Sequence, residues 1–154
     1  MTTEPLPIVY ARLARKVDAQ TAECLNVRYH WPDDSTSKDC PDCHGISQLP
    51  DPKYAALREM FWRACPTVGN AAHNDRHIYC SGTGRVLRPL DELDAGELAE
   101  AMRCIGTPVA CEIREHDAAA WFGNEGEAFY YHLCPTLLEA LIRAADAAIP
   151  EVTP

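Results

Sequence analysis

The sequence predicts an α+β protein: a small antiparallel three-stranded sheet with flanking helices, plus a zinc-knuckle insertion. Three observations lead there. Apolar residues recur at helical spacing in four stretches. Val109, Cys111 and Ile113 alternate with Ala110, Glu112 and Arg114, and two aromatic-rich runs follow. Two ligand-x-x-ligand-x-Gly turns interrupt the N-terminal half.

Residues 8–25 read as a helix, with Val9, Leu13, Val17 and Cys24/Leu25 at helical spacing. Residues 31–39 are a polar loop. Asp51 followed by Pro52 is an N-cap with proline at the first helical position. The second helix therefore starts there, buries Tyr54, Leu57, Met60 and Phe61, and ends near Cys65 before Pro66. A loop over 66–76 leads to Ile78 and Tyr79, and Arg85–Leu87 form a short strand. Asp94 with Glu97 opens a third helix that turns Leu98, Met102 and Ala101 inward, with Gly106 as its stop. Residues 109–113 form a half-buried strand with Val109, Cys111 and Ile113 facing inward. Residues 118–122 and 127–133 are two more strands, joined as a hairpin at Gly123–Gly126. Thr136 with Glu139 is a capping box for a last helix carrying Leu137, Leu138, Leu141, Ile142 and Ala145, stopped by Pro150. The division is a helical region with the knuckle pair over 1–88 and an acidic α-β-β-β-α region over 89–154, packed as one compact unit.

The chain has 154 residues and a formal net charge of −9. The excess of acid is confined to one part: residues 91–154 carry 3 Lys/Arg against 13 Asp/Glu. Such a surface repels phosphate backbones and favours a protein partner over nucleic acid. No apolar run reaches the roughly 18 residues of a membrane span. The N-terminus has no basic n-region, so it does not read as a signal peptide and the expected compartment is the cytoplasm. In a reducing compartment clustered cysteines are metal ligands rather than disulfides.

The eight cysteines are unevenly placed. Cys40-Pro-Asp-Cys43-His-Gly45 and His77-Ile-Tyr-Cys80-Ser-Gly82 share one spacing. Two residues between ligands let both side chains reach one ion from a tight turn, and the glycine relieves the backbone beside the sulfur. Cys40, Cys43, His77 and Cys80 then make a closed tetrahedral set for one structural Zn²⁺. His77 is the expected fourth ligand, with His73 and His44 as the alternatives. Cys24, Cys65, Cys104, Cys111 and Cys134 stand alone in this reading. Haem attachment at Cys40–His44 would need export, a thioredoxin-like pair would need a preceding strand, and His73–His77 lacks the glutamate of a zinc protease helix.

Cys40-x-x-Cys43-x-Gly45 and Cys80-x-Gly82-x-Gly84 resemble the CxxCxGxG elements of DnaJ-type zinc-finger domains. The resemblance covers residues 40–45 and 77–84. His77 stands where that family has cysteine, and Ser47 where it has the second glycine. The family has four such elements and two ions; here two elements serve one. Residues 97–148 resemble the small phage alpha-beta-alpha sandwich domain. The features are Ala99-Glu-Ala-Met102, the strand Ala120-Trp121-Phe122, Tyr130-Tyr131, and the helix 135–144. This likeness implies a phage origin and a helix-covered sheet.

No nucleophile elbow, P-loop or dinucleotide fingerprint occurs. Trp121, Phe122, Phe129, Tyr130 and Tyr131 read as packing rather than a stacking platform. His116 and His132 have no motif partner. The sequence therefore points to a non-enzymatic accessory protein with structural zinc and an acidic surface for a host or phage protein. The alternative is a nucleic-acid-binding zinc module using Arg76, Arg85 and Arg88, which flank the second knuckle.

Overall fold

The computed structural model describes residues 3–26, 40–46, 48–66, 80, 83–105, 109–122 and 129–153. Four α-helices fall within them: α1 (Leu6–Ala19), α2 (Ala55–Phe61), α3 (Ala95–Arg103) and α4 (Leu137–Ala148). Strands β1 (Thr21–Glu23) and β2 (Gln48–Pro50) form one antiparallel ribbon, and β3 (Trp62–Ala64) and β4 (Arg85–Leu87) a second. β5 (Val109–Ile113), β6 (Ala118–Phe122) and β7 (Phe129–Cys134) form an antiparallel sheet in sequence order. The class is α+β, and the two ribbons are additions that apolar periodicity did not reveal.

The first helix is shorter than its apolar spacing predicts. It ends at Ala19, and Gln20 turns extended while its N–H still caps the Val17 carbonyl. Thr21–Glu23 then pair with Gln48–Pro50. Long-range ladder bonds replace local helical ones there, so Cys24 is buried at the end of a strand and Leu25 is exposed. The second helix is likewise broken. Asp51 accepts the Lys53 N–H at 3.1 Å and starts a 3-10 turn over Pro52–Tyr54. α2 follows and stops at Phe61, because Trp62–Ala64 pair with Arg85–Leu87 instead of coiling on toward Cys65. The two predicted caps form: Asp94 accepts the Glu97 N–H at 2.9 Å, and Thr136 accepts the Glu139 N–H at 3.1 Å.

One hydrophobic core joins the two predicted regions. Leu13 and Val17 from α1, Leu57 and Phe61 from α2, Leu98 and Met102 from α3, Ala120 and Phe122 from β6, and Leu141 and Ile142 from α4 all lie in it. Each such side chain contributes about 1.5–3 kcal/mol by leaving water. α4 packs on β6 and β7 and against α1. Polar ties cross the same seam. The Tyr10 hydroxyl donates to the Arg88 carbonyl at 2.9 Å, and its ring meets Phe61 edge-on at 5.4 Å. Buried Asp146 on α4 takes Arg12 and Lys16 of α1.

The strand β5 differs from expectation. Cys111 is exposed and Ile113 is 73% exposed, so these side chains do not face a core. β5 is a sheet edge bonded to β6 alone, whereas α4 lies over β6 and β7. Period-2 alternation reports the pleat, not whether a layer covers it. Phe122 is buried and Trp121 half-buried. The side chains of Val109, Phe129, Tyr130, Tyr131 and His132, the stop at Gly106 and the turn at 123–126 lie outside the described residues. No described helix is long and apolar enough to cross a membrane.

Candidate metal centre

The first ribbon is built to hold a loop. Its base is tied by the Asp51 N–H to the Gln20 carbonyl at 3.0 Å. Arg58 of α2 donates to the Asp51 carbonyl and to the Gln20 carbonyl, clamping both strands. Cys24 emerges directly from β1. The loop returns through a tight turn at Cys40–Gly45, where the His44 N–H donates to the Cys40 carbonyl at 2.9 Å and the Ile46 N–H to the Cys43 carbonyl at 3.0 Å. His44 (φ 50°) and Gly45 (φ 86°) both sit in the left-handed region, which explains the glycine after the second ligand. The Asn26 side chain donates to Asp42 at 2.8 Å and fixes the strand exit to the turn.

This arrangement brings three sulfurs together. Cys24, Cys40 and Cys43 are all buried, and their sulfurs lie within 4.8 Å of one another. None of the three is in a disulfide. Cys24 Sγ and Cys40 Sγ are 3.8 Å apart. Four ligands at the usual ~2.3 Å Zn–S distance in a tetrahedron would put sulfurs about 3.8 Å apart, so the spacing suits one shared ion. The Asn26 backbone N–H at the Cys24 sulfur pulls that thiol's pKa down. Burial and the Cys40 and Cys43 sulfurs outweigh it, and the pKa is raised overall. A divalent cation reverses that balance, because it takes thiolates directly. The three cysteines could hold a metal ion.

Of the sequence-predicted ligands, Cys40 and Cys43 are in this group. Cys80 is buried in the turn before β4, and among the described residues it is not a member of the group. His77 and His73 lie outside the described residues; His44 follows Cys43 in the turn itself. Cys24 was missed. Its helical spacing after Val17 assigns it to the first helix, and the ribbon that carries it to the turn is a long-range pairing.

Of the basic residues near the second knuckle, Arg85 is already engaged. Arg85 pairs with Asp18 at 3.1 Å and stacks over the Trp62 ring at 5.3 Å. Among the described residues the buried Arg88 Nε has no hydrogen-bond partner, and the Arg88 backbone N–H donates to the Phe61 carbonyl at 2.7 Å. Arg76 lies outside the described residues. His116 is exposed and reaches only Glu115 at 3.9 Å. A groove of about 410 Å³ between α2 and α3 is lined by Ala56, Met60, Ala101 and Cys104 together with Glu59, Glu97, Glu100 and Arg88. Against known proteins, no family, no curated protein and no solved structure matches this chain.

Proposed function

We propose that this is a non-enzymatic interaction protein whose N-terminal half is held by structural Zn²⁺ on Cys24, Cys40 and Cys43. The observation that carries the reading is the 3.8 Å Cys24–Cys40 sulfur spacing within a buried trio of cysteines, none of them in a disulfide. Soft thiolate donors favour zinc over magnesium or calcium. Three thiolates and a fourth chain ligand close the tetrahedron, leaving no position at which water could be activated. The ion's contribution is then to folding, because it ties the exit of β1 to the Cys40–Gly45 turn.

The partner we propose is a host or phage protein offering a cationic, partly apolar segment. The groove between α2 and α3 suits it by three glutamates against one arginine and by the apolar side chains of Ala56, Met60 and Ala101 in its lining. Nucleic acid suits the surface less well, since Arg85 is already committed to Asp18 and Trp62.

Elemental analysis of the purified chain tests the metal reading. Zinc bound at a stoichiometric level, lost with Cys24→Ser or Cys40→Ser, is the expected result. A metal-free preparation that keeps the β1–β2 ribbon folded would overturn it. For the partner, titration with labelled duplex DNA at low salt should show no binding, and a Lys/Leu-rich peptide should bind and be weakened by Glu97→Lys.

A further inference from the structure

The edge strand β5 has a definite hydrogen-bonding phase. Its register with β6 sets Val109 opposite Phe122, Cys111 opposite Ala120 and Ile113 opposite Ala118. The Arg114 N–H donates to the Asp117 carbonyl at 2.8 Å, one step beyond the Ile113–Ala118 pair. In an antiparallel ladder, pairs that exchange hydrogen bonds alternate with pairs that do not. Counting back from Arg114, Glu112 and Ala110 turn their main-chain groups toward β6. Val109, Cys111 and Ile113 therefore turn theirs outward, to the side where no described strand lies.

The side chains on this edge are open as well. Directly opposed residues share a face. Cys111 and Ile113 thus project from the face that carries Ala118, Ala120 and Phe122, all three buried in the core. α4 packs over β6 and β7, yet Cys111 and Ile113 stay exposed. Natural sheets guard an edge with a lysine, a proline, a bulge or an inward-pointing charge. β5 reads Val-Ala-Cys-Glu-Ile and has no such guard. Its one charge, Glu112, projects from the opposite face, and the irregularity of the sheet falls between Ala118 and Ala120, in the pairing with β7.

We infer that β5 pairs antiparallel with β5 of a second copy of this chain, joining two three-stranded sheets about a two-fold axis at Cys111. The strand is self-complementary in that register. Val109 stands opposite the partner's Ile113, and Cys111 opposite the partner's Cys111. These are the residues whose main-chain groups point outward, so the three pairs exchange roughly six hydrogen bonds. Ala110 stands opposite the partner's Glu112, and no like charges meet. Other registers fit worse. An axis at Glu112 opposes that carboxylate to its own copy, which is unfavourable. An axis at Ile113 runs the pairing into the turn closed by Arg114 and Asp117. The axis is normal to the sheet, so both α4 helices lie on one side, and Cys111 and Ile113 of the two copies line the floor between them. The dimer rests on neither the metal reading nor the groove.

Sedimentation equilibrium of the full chain over a concentration series tests it. Two paired strands of five residues make a small, reversible interface, so the series extends to about 1 mM. The wild type should pass from monomer to dimer. Ala110→Glu sets a second carboxylate opposite the partner's Glu112, twice per dimer, and should weaken association roughly tenfold. Ala110→Lys sets an ammonium there and should tighten it. Ala110 is exposed, so both variants keep the folded monomer. Diamide oxidises two adjacent thiols to a disulfide and is itself reduced to the hydrazine. It should give a covalent dimer, because the Cα atoms of such a pair lie about 5.5 Å apart, within disulfide reach. That product should vanish in Cys111→Ser and persist in Cys104→Ser. A wild type that stays monomeric throughout overturns the proposal, whatever foreign strand might add to β5. A dimer indifferent to both Ala110 changes, or one that diamide does not link through Cys111, uses another surface and overturns it too.

Discussion

The Cys24 and Cys40 sulfurs lie 3.8 Å apart although fifteen residues separate them in sequence, with neither in a disulfide. The contact joins the exit of a strand to the start of a turn, so it depends on the ribbon below it. Cys24→Ser should remove metal from the trio and unfold the Cys40–Gly45 turn while leaving the main core intact. Loss of protection in hydrogen exchange confined to residues 20–50 is the expected readout. Unchanged exchange there would show that the sulfurs are packing neighbours only.

Asp146 is a buried carboxylate that holds Arg12 and Lys16 of α1. Burial pushes its pKa up, but the hydrogen bonds from Arg12 and Lys16 outweigh that and leave it lowered. A lowered folded-state pKa gives stability that is present above the ordinary carboxylate range and disappears as pH falls through the folded value. Acid unfolding below about pH 4 should therefore be less steep in Asp146→Asn than in the wild type. The substitution leaves Arg12 with Glu4 as its carboxylate and Lys16 with the main-chain carbonyl of residue 146, so the cost at neutral pH should be about 1–3 kcal/mol by denaturant titration.

Tyr10 reaches from α1 to the segment after β4, where its hydroxyl donates to the Arg88 carbonyl. Burial raises its pKa to about 12, against a smaller lowering by Arg88. A raised value means stability held below the ordinary phenol pKa of ~10 and lost as pH climbs toward 12. Tyr10→Phe keeps the edge-on contact with Phe61 and leaves the Arg88 carbonyl without its donor. It should cost about 1–2 kcal/mol near neutral pH and flatten the alkaline limb of the stability profile.

The caps at Asp94 and Thr136 each satisfy one N–H of a helix first turn. Asp94→Ala and Thr136→Ala should each lower stability by about 1 kcal/mol, and the double variant by close to the sum, since the two helices start at separate sites. A much larger combined loss in thermal melts would mean that the caps couple through the core.

Local chemistry was legible in the sequence wherever a few neighbouring residues determine it. Asp94 and Thr136 announce their helices because a cap is settled within four residues. The Cys40–Gly45 turn is announced by its own spacing and its glycine, which takes φ 86°. The α+β class follows from apolar period, because that period is a property of each element alone. Only the tertiary structure decided where α1 and α2 stop, since β1 and β3 exist by pairing with strands that lie beyond long loops. It likewise decided that Cys24 joins Cys40 and Cys43, and that Cys111 and Ile113 lie on an uncovered edge. In each case the deciding partner is remote in sequence, and neither propensity nor periodicity carries information about a partner that far away.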